Sequence, residues 1–179
     1  MSVYLTDLEY DQFTCKKEYY NFLIKSGYDK LNREDYFELG FLDCNSVKSV
    51  KQADGNMFLC TRKEDKNLLS LFIKFAEFAN KTLKRTKKDT LEELTEQMNN
   101  QIEQKRLFCW KNKEGKIVCI ANFQVLGDTA RLGHVFTPEE ERGKGYAANL
   151  IHDLTEKLLS DGLKPLLYTD YSYPASNKA

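Results

Sequence analysis

The sequence has no excess of either charge, only two histidines and no long apolar run. The 27 basic and 27 acidic residues cancel, so the composition does not favour a general nucleic-acid binder. No apolar run is long enough to cross a bilayer, and an early acid at Asp7 replaces the basic start of a signal peptide, so we expect no membrane association. With only His134 and His152, and no spacing typical of metal ligands, we expect no metal site.

Cysteine is present, but without a pairing pattern. The five cysteines are odd in number, scattered, and never form Cys-x-x-Cys. This favours free buried thiols in a reducing cytoplasm. Neither Cys109 nor Cys119 has a histidine close in sequence, so we do not expect a nucleophilic cysteine. The remaining composition, 41% hydrophobic and 12% aromatic over 179 residues, is enough for the core of one domain.

The chain divides into two unequal parts at about residue 56. Residues 1–56 are polar and aromatic and predict an N-terminal helical extension, which could pack on the main domain. One helix is predicted over Phe13–Ile24. A second is predicted to start near Asn32, with Leu39 and Leu42 turned inward.

Residues 57–179 are better patterned and form the predicted main domain. The predicted elements are a strand at 57–61, helices over 68–79 and 91–102, strands at 107–110, 117–125 and 130–136, a helix over 143–160 and a strand at 165–169. Thr90 and Glu93 have the spacing of a capping box, with Leu91, Leu94, Met98 and Ile102 on one face behind it. This order predicts an α/β fold with a mixed sheet.

The segment Val135–Ala147 carries the clearest chemistry. A strand ends, a short loop follows, and a helix begins among the glycines of Arg142-Gly143-Lys144-Gly145. The first N–H groups of a helix have no internal partners and lie at the positive end of the helix dipole, so they bind anions. Glycine removes the Cβ atoms that would hold a phosphate away. The pattern is not a P-loop, which needs Ser or Thr after Lys144, and Ala148 stands where a dinucleotide fingerprint needs glycine.

Val-Phe-Thr-Pro followed by Arg-Gly-Lys-Gly-Tyr-Ala and an amphipathic helix resembles the acetyl-CoA-binding motif of the GNAT superfamily of N-acetyltransferases. The segment from Lys164 to Lys178 is similar to that family's next strand and the start of its following helix. The resemblance covers Leu107 onward and reaches weakly back to Met57. It implies the GNAT-like acyl-CoA N-acyltransferase fold. Since the sequence stops at Ala179, the family's C-terminal helix and last two strands are expected to be missing.

The resemblance implies binding roles for the matching positions. The backbone of Val135, Phe136 and Thr137 would pair with the pantetheine arm of acetyl-CoA. Main-chain amides would hold the pyrophosphate along the loop, which comprises Arg142, Gly143, Lys144, Gly145, Tyr146 and Ala147. The strand at 165–169 would diverge from the strand at 132–136 and leave a V-shaped gap for the thioester. Glu140 departs from the Gln or Arg that is frequent at the first motif position.

The resemblance does not assign a general acid, because the tyrosine that the family often carries on its next helix has no matching position. His134 is a weak candidate base, with a strand histidine that packs or bonds structurally as the alternative. Tyr168 is a weak candidate near Tyr171 and Tyr173, with core and rim aromatics as the alternative.

The function implied is acetyl transfer from acetyl-CoA to a primary amine, a small molecule or a peptide, by direct attack. The alternative is a non-catalytic CoA-binding or protein-interaction module derived from the same fold. An unpaired strand at 165–169 would invite pairing with another chain, so a homodimer stays open.

Overall fold

The computed structural model describes residues 39–43, 46–62, 65–82 and 88–170, with only the backbone described at 39–43 and at residues 65, 82, 169 and 170. The chain forms two units, Met1–Tyr36 and Phe37–Ala179, and every described residue belongs to the second. The boundary expected at residue 56 therefore falls inside that unit. The helix expected over Phe13–Ile24 lies outside the described residues.

In the described part of the chain, six strands form one sheet with three helices packed on it. The strands are β1 (Leu39–Asp43), β2 (Asn56–Leu59), β3 (Leu107–Lys111), β4 (Ile117–Leu126), β5 (Thr129–Phe136) and β6 (Lys164–Asp170). The helices are α1 (Asp65–Thr82), α2 (Leu91–Glu103) and α3 (Tyr146–Ser160). The strand order is β1-β6-β5-β4-β3-β2, and among these six described strands only the β5–β6 pair is parallel. The predicted α/β fold with a mixed sheet is confirmed. Within the described part of the chain, no helix has the length and apolar character needed to cross a membrane.

The helix α2 begins with the predicted capping box. The Thr90 hydroxyl accepts from the Glu93 N–H at 3.2 Å, and the Glu93 carboxylate accepts from the Thr90 N–H at 2.7 Å. These two bonds satisfy N–H groups that the helix itself leaves without partners. Three of the four residues predicted to share one face are buried: Leu94, Met98 and Ile102. The fourth, Leu91, is 55% exposed and is the first residue of the helix.

The core lies on both faces of the sheet. In β3, Phe108 and Trp110 point to one face and Leu107 and Cys109 to the other, as the two-residue period of a strand requires. The first face packs against α3 through Leu150, Leu154 and Leu158. The second packs against α1 and α2 through Leu68, Leu71, Phe72, Met98 and Ile102.

The strand β1 corrects two predictions. It pairs antiparallel with β6, from Leu39 opposite Asp170 to Asp43 opposite Leu166. The helix predicted to bury Leu39 and Leu42 is therefore wrong in this stretch, and so is the expectation that the strand at 165–169 forms an edge. The three-residue spacing of the leucines fits a helix turn, but a short apolar run is also compatible with a strand. The partner that decides between them lies at the other end of the sequence.

Candidate functional site

The parallel strands β5 and β6 separate partway along their length. Their last registered pair is Leu132 with Leu167, although β5 continues to Phe136 and β6 continues to Asp170. Beyond this pair, the edge of β5 that faces β6 has no strand partner among the described residues. The two strand ends thus flank a gap, and the assignment of this gap to a thioester stays a prediction.

A β-bulge in β5 accompanies this separation. Between the pairs Ile120–Phe136 and Asn122–Gly133, one residue of β4 lies opposite two residues of β5. His134, inside the bulge, has a φ of 47°, in the left-handed region that residues other than glycine rarely adopt. A bulge bends its strand and increases the local twist, which is a physical reason for β5 to turn away from β6.

The glycine loop follows directly after β5. A 3-10 turn covers Glu139–Glu141, and Gly143 and Gly145 then have φ values of 78° and 86°. The second of these is the N-cap of α3, and no side chain caps the helix there. The first N–H groups of α3 are therefore not satisfied by a cap, which suits the binding of an anion. The predicted helix start at Gly143 is wrong by one turn, because both glycines are left-handed.

The acidic run before the loop is neutralised by lysines. The buried carboxylate of Glu141 accepts from Lys116 Nζ at 2.5 Å and from Lys144 Nζ at 2.7 Å. Hydrogen bonds from Lys116, then Lys144, hold the pKa of Glu141 below its ordinary value. The pKa of Glu140 is lowered by its own backbone N–H and then by Lys74, whose ammonium lies 3.0 Å away. The lysines therefore offset part of the negative charge of Glu140 and Glu141 next to the loop.

Arg142 connects the loop to the end of β5. Its Nε donates to the carbonyl of Thr137 at 3.1 Å, and its guanidinium lies 5.4 Å from the centre of the Phe78 ring. Two cations of the loop, Arg142 and Lys144, are thus engaged by protein groups while their side chains stay at the surface. They add positive charge around the loop without depending on a ligand for their positions.

The sequence analysis missed a second set of contacts behind the loop. Residues Lys51–Gly55, which we call the strap, cross the first turns of α3. Asn149 and Tyr146 bond to the strap through Ala53 and Asp54. The signal available in the sequence was a lone asparagine on the apolar face of α3, where a buried amide needs partners.

A family model for the GNAT acetyltransferase domain matches residues 74–169, which is more than half of the chain and includes the gap, the bulge and the glycine loop. The chain belongs to the GNAT family of acetyltransferases. No curated protein matches the chain at a significant level of sequence similarity.

Solved structures of GNAT proteins share this fold. A GNAT acetyltransferase from Colwellia psychrerythraea is 19% identical, with a TM-score of 0.58 over 85% of this chain and 55% of its own. An N-acetyltransferase from Staphylococcus aureus Mu50 is 17% identical, with a TM-score of 0.58 over 70% of this chain and 79% of its own. A predicted acetyltransferase with acetyl-CoA from Clostridium acetobutylicum is 16% identical, with a TM-score of 0.51 over 79% of this chain and 87% of its own. At these identities the similarity shows the fold alone, and this chain spans about half the length of the Colwellia protein.

His134 lies at the mouth of the gap, in the setting of a structural residue. Its Nδ1 is 2.7 Å from Asn122 Nδ2, so with that amide donating, the ring's proton lies on Nε2. The ring also packs edge-on against Phe75 at 4.7 Å and Phe72 at 5.6 Å. With the proton on Nε2, the lone pair on Nδ1 accepts the hydrogen bond from Asn122. This geometry favours the structural alternative, and a role of His134 as a base stays a prediction.

Tyr168 follows the last β5–β6 pair and is half-buried, opposite Phe41 of β1 in register. Its role as an acid also stays a prediction, and Tyr171 and Tyr173 lie outside the described residues. Burial raises the pKa of the Cys119 thiol to about 12, so this thiol is protonated at neutral pH and is unsuited to nucleophilic attack.

The second histidine lies in an acidic setting on α3. Ligand atoms of His152, Asp153 and Glu156 come within 4.8 Å of one another. Such groupings are common on exposed helix surfaces, and nothing else in the described residues points to a metal here. The expected lack of a metal site stays a prediction.

Proposed function

We propose that this GNAT domain transfers an acetyl group from acetyl-CoA to a primary amine, on a small molecule or a peptide. The observation that carries the proposal is the uncapped N-terminus of α3, with its two left-handed glycines, at the end of a strand that has separated from its parallel neighbour. A phosphate site and an unpaired strand edge, side by side, suit a ligand with a pyrophosphate and an amide-rich arm.

The pyrophosphate is the part that the glycine loop suits. Main-chain N–H groups from Gly143 to Ala147 would donate to its oxygens, with the dipole of α3 adding favourable potential. Arg142 and Lys144 would add charge at the rim. The ion pairs of Glu140 and Glu141 support this assignment, since they offset part of the repulsion that three consecutive acids would otherwise exert.

The pantetheine arm suits the free edge of β5. Its amides would extend the sheet at Val135, Phe136 and Thr137, in the way that an added strand pairs with a sheet edge. The arm would direct the thioester into the gap between β5 and β6. A backbone N–H near Val135 would donate to the carbonyl oxygen as negative charge develops on it.

The chemistry needs no covalent enzyme intermediate. The amine nitrogen forms a bond to the thioester carbonyl carbon, and the carbon–sulfur bond then breaks. The amine loses a proton to solvent or to a nearby base, and the CoA thiolate takes up a proton. The buried, protonated Cys119 supports direct transfer over an acyl-cysteine route. We also propose a cytoplasmic location, because Cys109 and Cys119 are buried free thiols.

Calorimetric titration with acetyl-CoA tests the binding part of the proposal. Gly145→Glu forces a side chain into a left-handed position and puts a negative charge at the phosphate site, so we expect binding to be lost. Gly162→Glu is the matched control, since Gly162 has a φ of 79° at the opposite end of α3 and open space around it. Equal affinities for the wild type and Gly145→Glu would contradict the pyrophosphate assignment.

Thiol release from acetyl-CoA over a panel of amines tests turnover. The alternative function, a non-catalytic CoA-binding or interaction module, predicts binding without thiol release. Its structural motivation is weaker than the sequence indicated, because β1 covers the strand that was expected to be an open edge. Amine-dependent release by the wild type and its loss in Gly145→Glu would exclude the inert module.

A further inference from the structure

Asn149 lies one turn into α3 and is 1% exposed. Its Nδ2 donates to the carbonyl of Gly145 at 3.0 Å and to the carbonyl of Lys51 at 2.9 Å, and its Oδ1 accepts from the N–H of Ala53 at 3.3 Å. The Gly145 carbonyl also accepts the first helical bond, from the Asn149 N–H at 3.0 Å. One side chain therefore joins the glycine loop, the helix and the strap.

The strap is itself fixed to the sheet. The Asp54 carbonyl accepts from Trp110 Nε1 at 2.7 Å, and the Asp54 carboxylate accepts from the Tyr146 hydroxyl at 2.9 Å and from the Lys113 N–H at 3.2 Å. Gly55 approaches β3 so closely that a Cβ atom there would lie 1.9 Å from the Lys111 carbonyl oxygen. The partner that Asn149 holds is thus anchored at several points.

We propose that Asn149, held by the strap, is a positioning residue that aims the first N–H of α3 at the coenzyme pyrophosphate; this inference rests on the proposed function. The C=O of Gly145 and the N–H of Tyr146 belong to one planar trans peptide, so they point in opposite directions. Clamping the carbonyl from two sides fixes the direction of the amide. The clamp is needed because Gly145 has no Cβ and its left-handed conformation has no side-chain cap.

Hydrogen exchange of the ligand-free protein tests the clamp directly. Asn149→Ala removes the side-chain donors and the acceptor, so the amides of Ala53 and of residue 149, which bond to Asn149 Oδ1 and to the Gly145 carbonyl, should exchange faster than in the wild type. Thr155→Ala is the matched control, since Thr155 is a second buried polar residue of α3, 4% exposed and farther along the helix. Faster exchange confined to the strap and the first turn of α3 in Asn149→Ala supports the clamp. Unchanged exchange, or the same increase in Thr155→Ala, overturns it.

Calorimetry with CoA tests the consequence for the ligand. We expect Asn149→Ala to raise the Kd for CoA by about tenfold and Thr155→Ala to leave it unchanged, since a lost buried hydrogen bond is on that scale. Asp54→Ala is the second clamp variant, for use if Asn149→Ala does not fold. Asp54 is exposed, so its truncation loosens the same strap without creating a cavity, and we expect it to raise the Kd for CoA by about threefold. Equal Kd values for the wild type and both clamp variants would overturn the inference. If the wild type itself does not bind CoA, the proposed function fails, while hydrogen exchange still judges the clamp.

Discussion

The pair formed by Asn122 and His134 allows a quantitative test of how the gap is built. Asn122 is 3% exposed, and its amide nitrogen is 2.7 Å from His134 Nδ1 in the bulge of β5. We propose a double-mutant cycle of Asn122→Ala, His134→Ala and the double variant. If the hydrogen bond is formed in the folded protein, the two substitutions must not be additive.

The expected magnitude follows from burial. Removing His134 leaves the buried Asn122 amide without this bond, which costs about 1–3 kcal/mol, and removing Asn122 leaves the half-buried His134 without it. Removing both partners eliminates that penalty, so the double variant should be more stable than the sum of the single losses by about 1–2 kcal/mol. The backbone strain of alanine at the left-handed position 134 enters the single and the double variant alike and cancels from the coupling energy.

Urea denaturation of the four proteins measures the four free energies of unfolding. The slopes should agree, because a change in slope would signal a change in the amount of surface exposed on unfolding. Additivity within about 0.3–0.5 kcal/mol would refute the bond and, with it, the argument that the lone pair of His134 is engaged.

Three further outcomes follow from the same geometry. Gly143→Ala and Gly162→Ala, at φ values of 78° and 79° with open space around both, should each lose about 1–2 kcal/mol of stability, while calorimetry shows weaker CoA binding only for the first. Cys119, with a pKa of about 12, should stay unmodified by iodoacetamide at pH 8 in the folded protein, as judged by peptide mass spectrometry, and rapid labelling would contradict its burial. The pKa of Glu141 in the folded protein lies below its ordinary value of 4.5, so its ionised carboxylate stabilises the fold above about pH 4.5. This stabilisation is lost as the pH falls through the lowered pKa. The melting temperature of Glu141→Gln should therefore lack this part of the acid dependence.

Local patterns carried much of the prediction. The capping box at Thr90 and the apolar stripe of α1 each involve residues a few positions apart, so their geometry follows from the helix alone. The turns at Glu114-Gly115 and Gly127-Asp128, which join consecutive antiparallel strands, carry a typical hairpin glycine, and both glycines have positive φ. The glycine loop could also be predicted from the sequence, because the pattern typical of an anion site at a helix N-terminus is a strand end, glycines and a helix start in succession.

What the tertiary structure decided depends on partners that are distant in sequence. The stretch Leu39–Asp43 became a strand only because β6 supplies its hydrogen bonds, and the same pairing removes the edge expected there. The strap could not be predicted, since Asp54 meets Tyr146, and Ala53 meets Asn149, across more than half of the chain. The sequence by itself thus located the glycine loop in front of α3, where we propose that phosphate binds. Only the folded sheet decided what holds its amides in place, because no periodicity or motif specifies which remote groups a buried side chain will contact.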